Sequence, residues 1–447
     1  MKLLMVSLGC DKNLVDSEEM SGILLKKGVS FTDDEREADI IVINTCAFIG
    51  DAKEESINTI LELAQNKESR GGRCKALIVS GCLAQRYSSE IKKELPEVDA
   101  VVGTTAYDQI WEAVEAALSG EKPWLLRDIN TPRGPSGNRV LSGGGHSAYL
   151  KIAEGCDKRC TYCIIPSMRG SYRSVPMEEL IREAERLALR SVKELILIAQ
   201  ETTVYGKDLY GEKRLPELIK RLADIKGIEW IRLMYCYPEE ITDELVETIK
   251  NEPKVCNYID MPIQHASDRI LRAMGRRTDG ESLRLLIERL RAEIPDITLR
   301  TTIITGFPGE TQEDFVKLYN FIDEMEFDRL GVFPYSEEEG TVAAGFSAKV
   351  EQAVKEARRD EIMELQREIA WEKAEKAAGR RLKAFIEGEL SEDGVYVGRT
   401  YMDAPDVDGM IFVNSERRHL SGDIIEVLVT GASGYDLKGE EIYEPSE

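Results

Sequence analysis

The sequence predicts an α/β protein in three parts: an N-terminal doubly wound parallel-sheet domain, a central partial (β/α)6 barrel, and a small C-terminal β-barrel. Three observations carry that reading. Two long stretches alternate short apolar runs with amphipathic ones, the pattern of parallel sheets covered by helices. A segment rich in Gly, Pro, Ser and Asn, from Asn130 to Gly145, separates them. A long charged helical pattern, about Lys349 to Ala378, then gives way to short strand-like pieces. The expected divisions are 1–128, a linker over 129–146, 147–375 and 376–447.

In the first part Lys2–Leu8, Asp39–Asn44, Lys75–Ser80 and Asp99–Val102 read as buried strands rich in Val, Ile and Leu. Helical patterns lie at Asn13–Lys27, Lys53–Gln65, Ala84–Leu95 and Tyr107–Leu118. Ligands of such sheets gather outside the carboxyl ends of the strands. Cys10, Cys46 and Cys82 each follow one of the first three strands, at equal intervals of 36 residues. Read alone they are equally well ordinary buried cysteines. Cys74 opens the third strand and belongs at the opposite edge of the sheet.

The central strands are Ala148–Ala153, Glu194–Ala199, Glu229–Tyr235, Tyr258–Met261, Thr298–Ile304 and Arg329–Phe333. Six strand–helix units make an incomplete barrel, open on one side, with its site at the carboxyl-end face. The loop after the first strand carries Cys156, Cys160 and Cys163 as C-x3-C-x2-C. Three thiolates this close can ligate three irons of a cluster that normally takes four cysteines. The open iron then accepts a small molecule, as in catalytic metal sites. Zinc would need a fourth ligand nearby, and the chain holds only His146, His265 and His419. Beside this triplet, Cys10, Cys46 and Cys82 predict a second three-cysteine cluster, whereas Cys236 and Cys256 lack partners and read as core.

Composition narrows the rest. With 42% hydrophobic and 32% charged residues the chain is globular. No signal-like or membrane-length apolar run is present. The expected compartment is the cytoplasm, where clustered cysteines mean metal rather than disulfides. A net charge of −23 argues against broad nucleic-acid binding and favours a basic protein partner.

The triplet, with Tyr162 just before its third cysteine, resembles the signature of the radical S-adenosylmethionine enzymes. Leu8-Gly-Cys-Asp-Lys-Asn, Asn44-Thr-Cys-Ala-Phe and Ser80-Gly-Cys-Leu-Ala-Gln resemble the cysteine motifs of their methylthiotransferase family, and the likeness spans essentially the whole chain. It implies two four-iron clusters and S-adenosylmethionine in two roles, radical source and methyl donor. It also implies a C-terminal TRAM-like module.

The resemblance further marks Tyr162, Gln200, Glu201, Gln264, His265, Arg300 and Thr302 as residues toward S-adenosylmethionine. Gln200 and Glu201 stand where the superfamily has a Gly-Gly-Glu turn, so the carboxylate is kept and the glycines are lost. Residues 380–447 carry seven Lys and Arg against fifteen Asp and Glu, the reverse of an RNA-binding face. That charge and the words Pro166-Ser-Met-Arg-Gly-Ser and Ile263-Gln-His-Ala-Ser favour the protein-modifying branch. Its substrate is an aspartate of ribosomal protein uS12, and it draws on an electron donor, such as a flavodoxin-type reductant, and a sulfur donor. Asp403, Asp406 and Asp408 are the expected substrate-docking residues. The alternatives are a tRNA adenosine methylthiotransferase and a non-catalytic iron–sulfur sensor.

Overall fold

Apolar runs become strands wherever both faces can be covered. In the computed structural model the first sheet comprises β1 (Lys2–Ser7), β2 (Ser30–Phe31), β3 (Ile40–Thr45), β4 (Ala76–Gly81), β5 (Ala100–Val102) and β6 (Trp124–Leu125). All six are parallel, in the order 2-1-3-4-5-6. Every residue of β3 and β4 is buried, as a sheet with helices on both faces requires. Helices Asp11–Lys26 and Ile110–Leu118 cover one face through Met20, Leu24, Ile110 and Val114. Gly50–Leu63 and Ser88–Glu94 cover the other through Ile60, Leu63 and Ile91. Four strands were expected; β2 and β6 are two-residue edge strands, too short to show a period.

The structure describes residues 1–132, 139–143, 145–391 and 394–443. Part of the expected linker (133–138 and 144) lies outside them. So do Glu392, Asp393, Glu444 and Glu447 of the acidic count. Among the described residues no helix is long and apolar enough to cross a membrane.

The central strands are β7 (Ser147–Lys151), β8 (Ala153–Glu154), β9 (Arg173–Ser174), β10 (Glu194–Ile198), β11 (Trp230–Leu233), β12 (Val255–Asp260), β13 (Thr298–Thr305) and β14 (Arg329–Pro334). Six of them form a parallel open barrel in the order 7-10-11-12-13-14. The first expected strand is broken: β8 leaves the barrel and pairs antiparallel with β9. The end of the chain forms a closed barrel of β15 (Arg381–Ser391), β16 (Val395–Arg399), β17 (Ile411–Asn414), β18 (Ile424–Ser433) and β19 (Asp436–Glu441).

The three parts share a core. Val15, Ile196, Ile198, Trp230, Tyr258, Phe385 and Ala404 form one cluster, with Trp230 and Phe385 ring centroids 5.6 Å apart. Beside it Glu194, wholly buried, takes Arg232 Nε at 2.8 Å and Arg399 Nη2 at 2.7 Å. The loop after β16 lies against the open barrel. Asp403 accepts from Arg329 at 2.6 Å, and Asp408 accepts from the Tyr258 hydroxyl at 2.7 Å and lies 3.4 Å from Arg300. Asp403 and Asp408 are therefore no docking surface, because inward-facing barrel arginines draw their carboxylates out of solvent. Of the three expected aspartates only Asp406, in a left-handed conformation with φ 65°, is exposed.

Candidate functional site

The strand order reverses between β1 and β3, so loops diverge there and leave a crevice above the carboxyl ends. Cys10 and Cys46 follow those two strands, and Cys82 follows β4. Cys10 is the N-cap of the helix Asp11–Lys26, at the positive end of a sixteen-residue dipole. Gly9, at φ 84°, lets the first loop pass the second: a Cβ there would sit 2.8 Å from Cys46 Sγ. Gly81, at φ 89°, turns β4 directly into Cys82, and its Cβ would strike Asn44 Oδ1 at 2.3 Å.

Asn13 ties the loops together. Its amide donates to the carbonyls of Leu8 at 2.9 Å and Thr45 at 3.0 Å, and its Oδ1 takes Cys82 Sγ at 3.8 Å. Burial, with the other two thiols as neighbours, pushes Cys46 up to about 12. A thiolate there needs a compensating cation, which iron supplies. Cys74 lies at the amino end of β4, fully buried, its thiol donating to Ala76 O.

The second triplet lies on the loop between β8 and the helix Ile165–Arg169. Gly155, at φ 80°, brings that loop against the backbone of Ser171, where a Cβ would meet its oxygen at 2.1 Å. The Cys156 N–H donates to Gly170 O at 3.1 Å, Cys163 N–H to Cys160 O at 3.1 Å, and Cys160 Sγ lies 2.7 Å from the Tyr237 hydroxyl. Burial raises all three of the Cys156, Cys163 and Tyr162 groups, and Cys156 reaches about 12. Among the described residues no three His, Cys, Asp or Glu side chains close on a single ion. A cubane instead spreads its thiolates over three irons, and both donor sets are thiols alone.

A cavity of about 510 Å3 opens beside this loop, lined by Asp157, Lys158, Tyr172, Glu201, Tyr237 and Gly275 among others. Burial pushes the Glu201 carboxyl up to about 7, against the pull of Lys158 3.5 Å away. Gln200 donates to Glu154 at 2.7 Å, and its buried Oε1 has no partner among the described residues. Gln264, at φ 70°, bridges to β13: its N–H donates to Thr302 O at 2.9 Å. Tyr162 packs against the cluster that includes Met274, Phe307 and Tyr335.

Two expected cofactor residues are placed otherwise. His265 is wholly buried, its Nδ1 accepting from the N–H groups of Ala266 and Ser267 at 2.9 Å, so it caps a turn instead of reaching the cavity. Arg300 is held by Asp260 at 2.8 Å and by Asp408, the chain's own carboxylates.

Sequence leaves unmarked the residues that join the two triplets. Arg169, 3% exposed, donates to Asp16 Oδ2 at 2.8 Å, to Glu154 Oε2 at 3.3 Å and to Asn13 Oδ1. Lys151 pairs with Asp16 and, at 2.8 Å, with Glu154. Burial alone would raise Glu154, yet Lys151 and Arg169 hold it well below the usual carboxylate range. Tyr235 follows β11 with φ 60°, a strained backbone for an aromatic residue. Its ring lies under Lys12 Nζ, 2.8 Å from the centroid, and its hydroxyl donates to Asp11 at 3.2 Å. Asn13 and Arg169 do stand inside motif words, but only their contacts give them a role.

A thiol triplet at the carboxyl end of an open parallel barrel, beside a polar cavity, defines a radical S-adenosylmethionine enzyme. Family models agree: the Radical SAM superfamily matches residues 150–322, Uncharacterized protein family UPF0004 matches 2–103, and the TRAM domain matches 378–442. The chain is 59% identical over 439 residues to ribosomal protein uS12 methylthiotransferase RimO of Lachnoclostridium phytofermentans, covering 98% of this chain and 99% of that one. It is 52% identical to the protein of the same name from Acetivibrio thermocellus, covering 100% and 99%. It belongs to the ribosomal protein uS12 methylthiotransferase family of radical S-adenosylmethionine enzymes. In fold it resembles the radical S-adenosylmethionine methyltransferase TsrM of Kitasatospora setae, with a TM-score of 0.54 at 15% identity over 88% of this chain and 81% of that one.

Proposed function

We propose that the protein places a methylthio group on the β-carbon of an aspartate in ribosomal protein uS12, in the cytoplasm. Two thiol triplets joined by one buried ion network support the reading, together with relatives of that name along the whole chain. Cys156, Cys160 and Cys163 would hold one four-iron cluster and Cys10, Cys46 and Cys82 another, and with S-adenosylmethionine these supply the radical, sulfur and methyl chemistry. Glu201 accepts the methionyl ammonium. Gln200, with its open acceptor, and the paired Gln264 and Thr302 orient the rest of the molecule, and Tyr162 packs behind the cluster loop. The shared three-part core keeps water from the barrel interior. A flavodoxin-type reductant and a sulfur donor complete the set of partners.

Two measurements test this. Anaerobically reconstituted protein should bind about eight irons. Replacing either triplet by Ala should halve that number, and only loss of Cys156, Cys160 and Cys163 should stop reductive cleavage of S-adenosylmethionine. Purified uS12 and unmodified tRNA, offered separately, should gain the methylthio group on uS12 alone by mass spectrometry. Modified tRNA with unmodified uS12 overturns the substrate, and unchanged iron in either triple variant overturns the ligand sets.

A further inference from the structure

Arg169 ends the short helix Ile165–Arg169 that follows the radical-cluster loop, six residues beyond Cys163, yet its guanidinium lies among residues of the other triplet. It donates to Asn13 Oδ1, the same oxygen that lies 3.8 Å from Cys82 Sγ, so cation and thiol meet at one acceptor. Asn13 in turn holds the carbonyls of Leu8 and Thr45, the residues leading into Cys10 and Cys46. On its other side Arg169 is followed by Gly170, whose carbonyl takes the N–H of Cys156. One residue thus touches the supports of both triplets.

The charges around it balance. Arg169 and Lys151 face Asp16 and Glu154, two cations against two carboxylates, all buried. A four-iron cluster on three thiolates adds net negative charge beside them, and one-electron reduction adds another next to the buried Cys46 and Cys82. A cation held against a ligand sulfur stabilises that reduced state, since hydrogen bonds to sulfur and local charge set cluster potentials. The fork of Arg169 is fixed by three partners, so its field reaches the sulfur without reorganisation.

We propose that Arg169 is the positioning residue through which the radical domain raises the reduction potential of the cluster held by Cys10, Cys46 and Cys82. The proposal rests on the two-cluster reading above. Docking of the two domains thereby makes the auxiliary cluster easier to reduce, and Asp16, which shares the guanidinium, moderates the effect.

The test uses the full chain with Cys156, Cys160 and Cys163 replaced by Ala, reconstituted anaerobically and titrated with dithionite under electron paramagnetic resonance. Arg169→Gln should make the reduced cluster about tenfold less stable, about 59 mV more negative for one electron. Arg169→Lys, which keeps the charge but not the fork, should shift it less. Asp16→Asn, nearly isosteric, should move it the other way by freeing the guanidinium. Iron bound with the potential unchanged in Arg169→Gln overturns the proposal, as does a shift of the same sign in Asp16→Asn. Where Arg169→Gln does not fold, Asp16→Asn decides alone, and anything but a rise overturns it. Absence of iron in the starting protein instead removes the two-cluster reading, and the proposal with it.

Discussion

Replacing Arg399 by Met should loosen the C-terminal barrel from the open barrel, and the structure sets the size of the effect. Glu194 is wholly buried and meets Arg399 at 2.7 Å and Arg232 at 2.8 Å. Burial alone would raise its carboxyl, but the two guanidiniums hold it at about 2, against an ordinary 4.5. That fall is worth about 3 kcal/mol, at about 1.4 kcal/mol per tenfold change in proton affinity. Losing one guanidinium leaves a buried charge half compensated, so Arg399→Met should cost about 2–4 kcal/mol.

Trp230 packs against Phe385 across the same seam, their rings tilted at 44°, and reports its opening. With Trp111, Trp124 and Trp371 changed to Phe, urea unfolding followed by fluorescence should show the midpoint of Arg399→Met about 1–2 M lower. The folded carboxyl lies below its unfolded value, so the stabilisation is full above pH 4.5 and is lost as pH falls toward 2. The gap between the two proteins should therefore narrow in acid. Equal midpoints at pH 7, or a gap of constant width between pH 7 and pH 3.5, would refute the reasoning.

Glu201, raised to about 7 by burial, gains its charge as pH rises through neutrality, so equilibrium dialysis should show S-adenosylmethionine binding strengthening from pH 6 to pH 8. Glu201→Gln should flatten that profile. His265→Ala strips the acceptor from two buried N–H groups and should cost about 1–3 kcal/mol in thermal unfolding, with the affinity for S-adenosylmethionine unchanged. Gly81→Ala forces a Cβ to 2.3 Å from Asn44 Oδ1 at a positive φ, and iron counting should show about half the metal lost. Asp406→Lys should raise the apparent KM for uS12 without altering stability, because Asp406 alone of its three neighbouring aspartates is exposed. Asp403→Lys sets a second cation against Arg329 and should unfold the seam instead.

Local pattern was enough for the framework. The Val- and Ile-rich runs around Val42 and Val79 can only be strands covered on both faces, and the cysteines after them inherit a common edge. What stayed hidden depends on partners far along the chain. Arg169 and Asp16 are 153 residues apart, and Arg329 and Asp403 are 74 apart. A charged residue in a turn reads as solvated because most are, which is why Asp403 and Asp408 looked exposed. β19, Asp-Leu-Lys-Gly-Glu-Glu, buries only Leu437, Gly439 and Glu441, and so polar a strand gives no apolar alternation to read. His265 resembled a cavity residue because sequence places the turn but not the direction of the ring.

The aspartates of the last barrel have a consequence for how this architecture can change. Asp403 and Asp408 are the counter-ions of Arg329 and Arg300, and Arg399 completes the pairing of Glu194. A chain shortened before β15 would leave Arg329 without Asp403, Arg300 with Asp260 alone and Glu194 with Arg232 alone. A terminal barrel borrowed from a relative with another substrate would have to bring the same three charges at the same places. The terminal module thus also supplies charges that the open barrel needs, so its outer surface can diverge freely while its inner loop cannot.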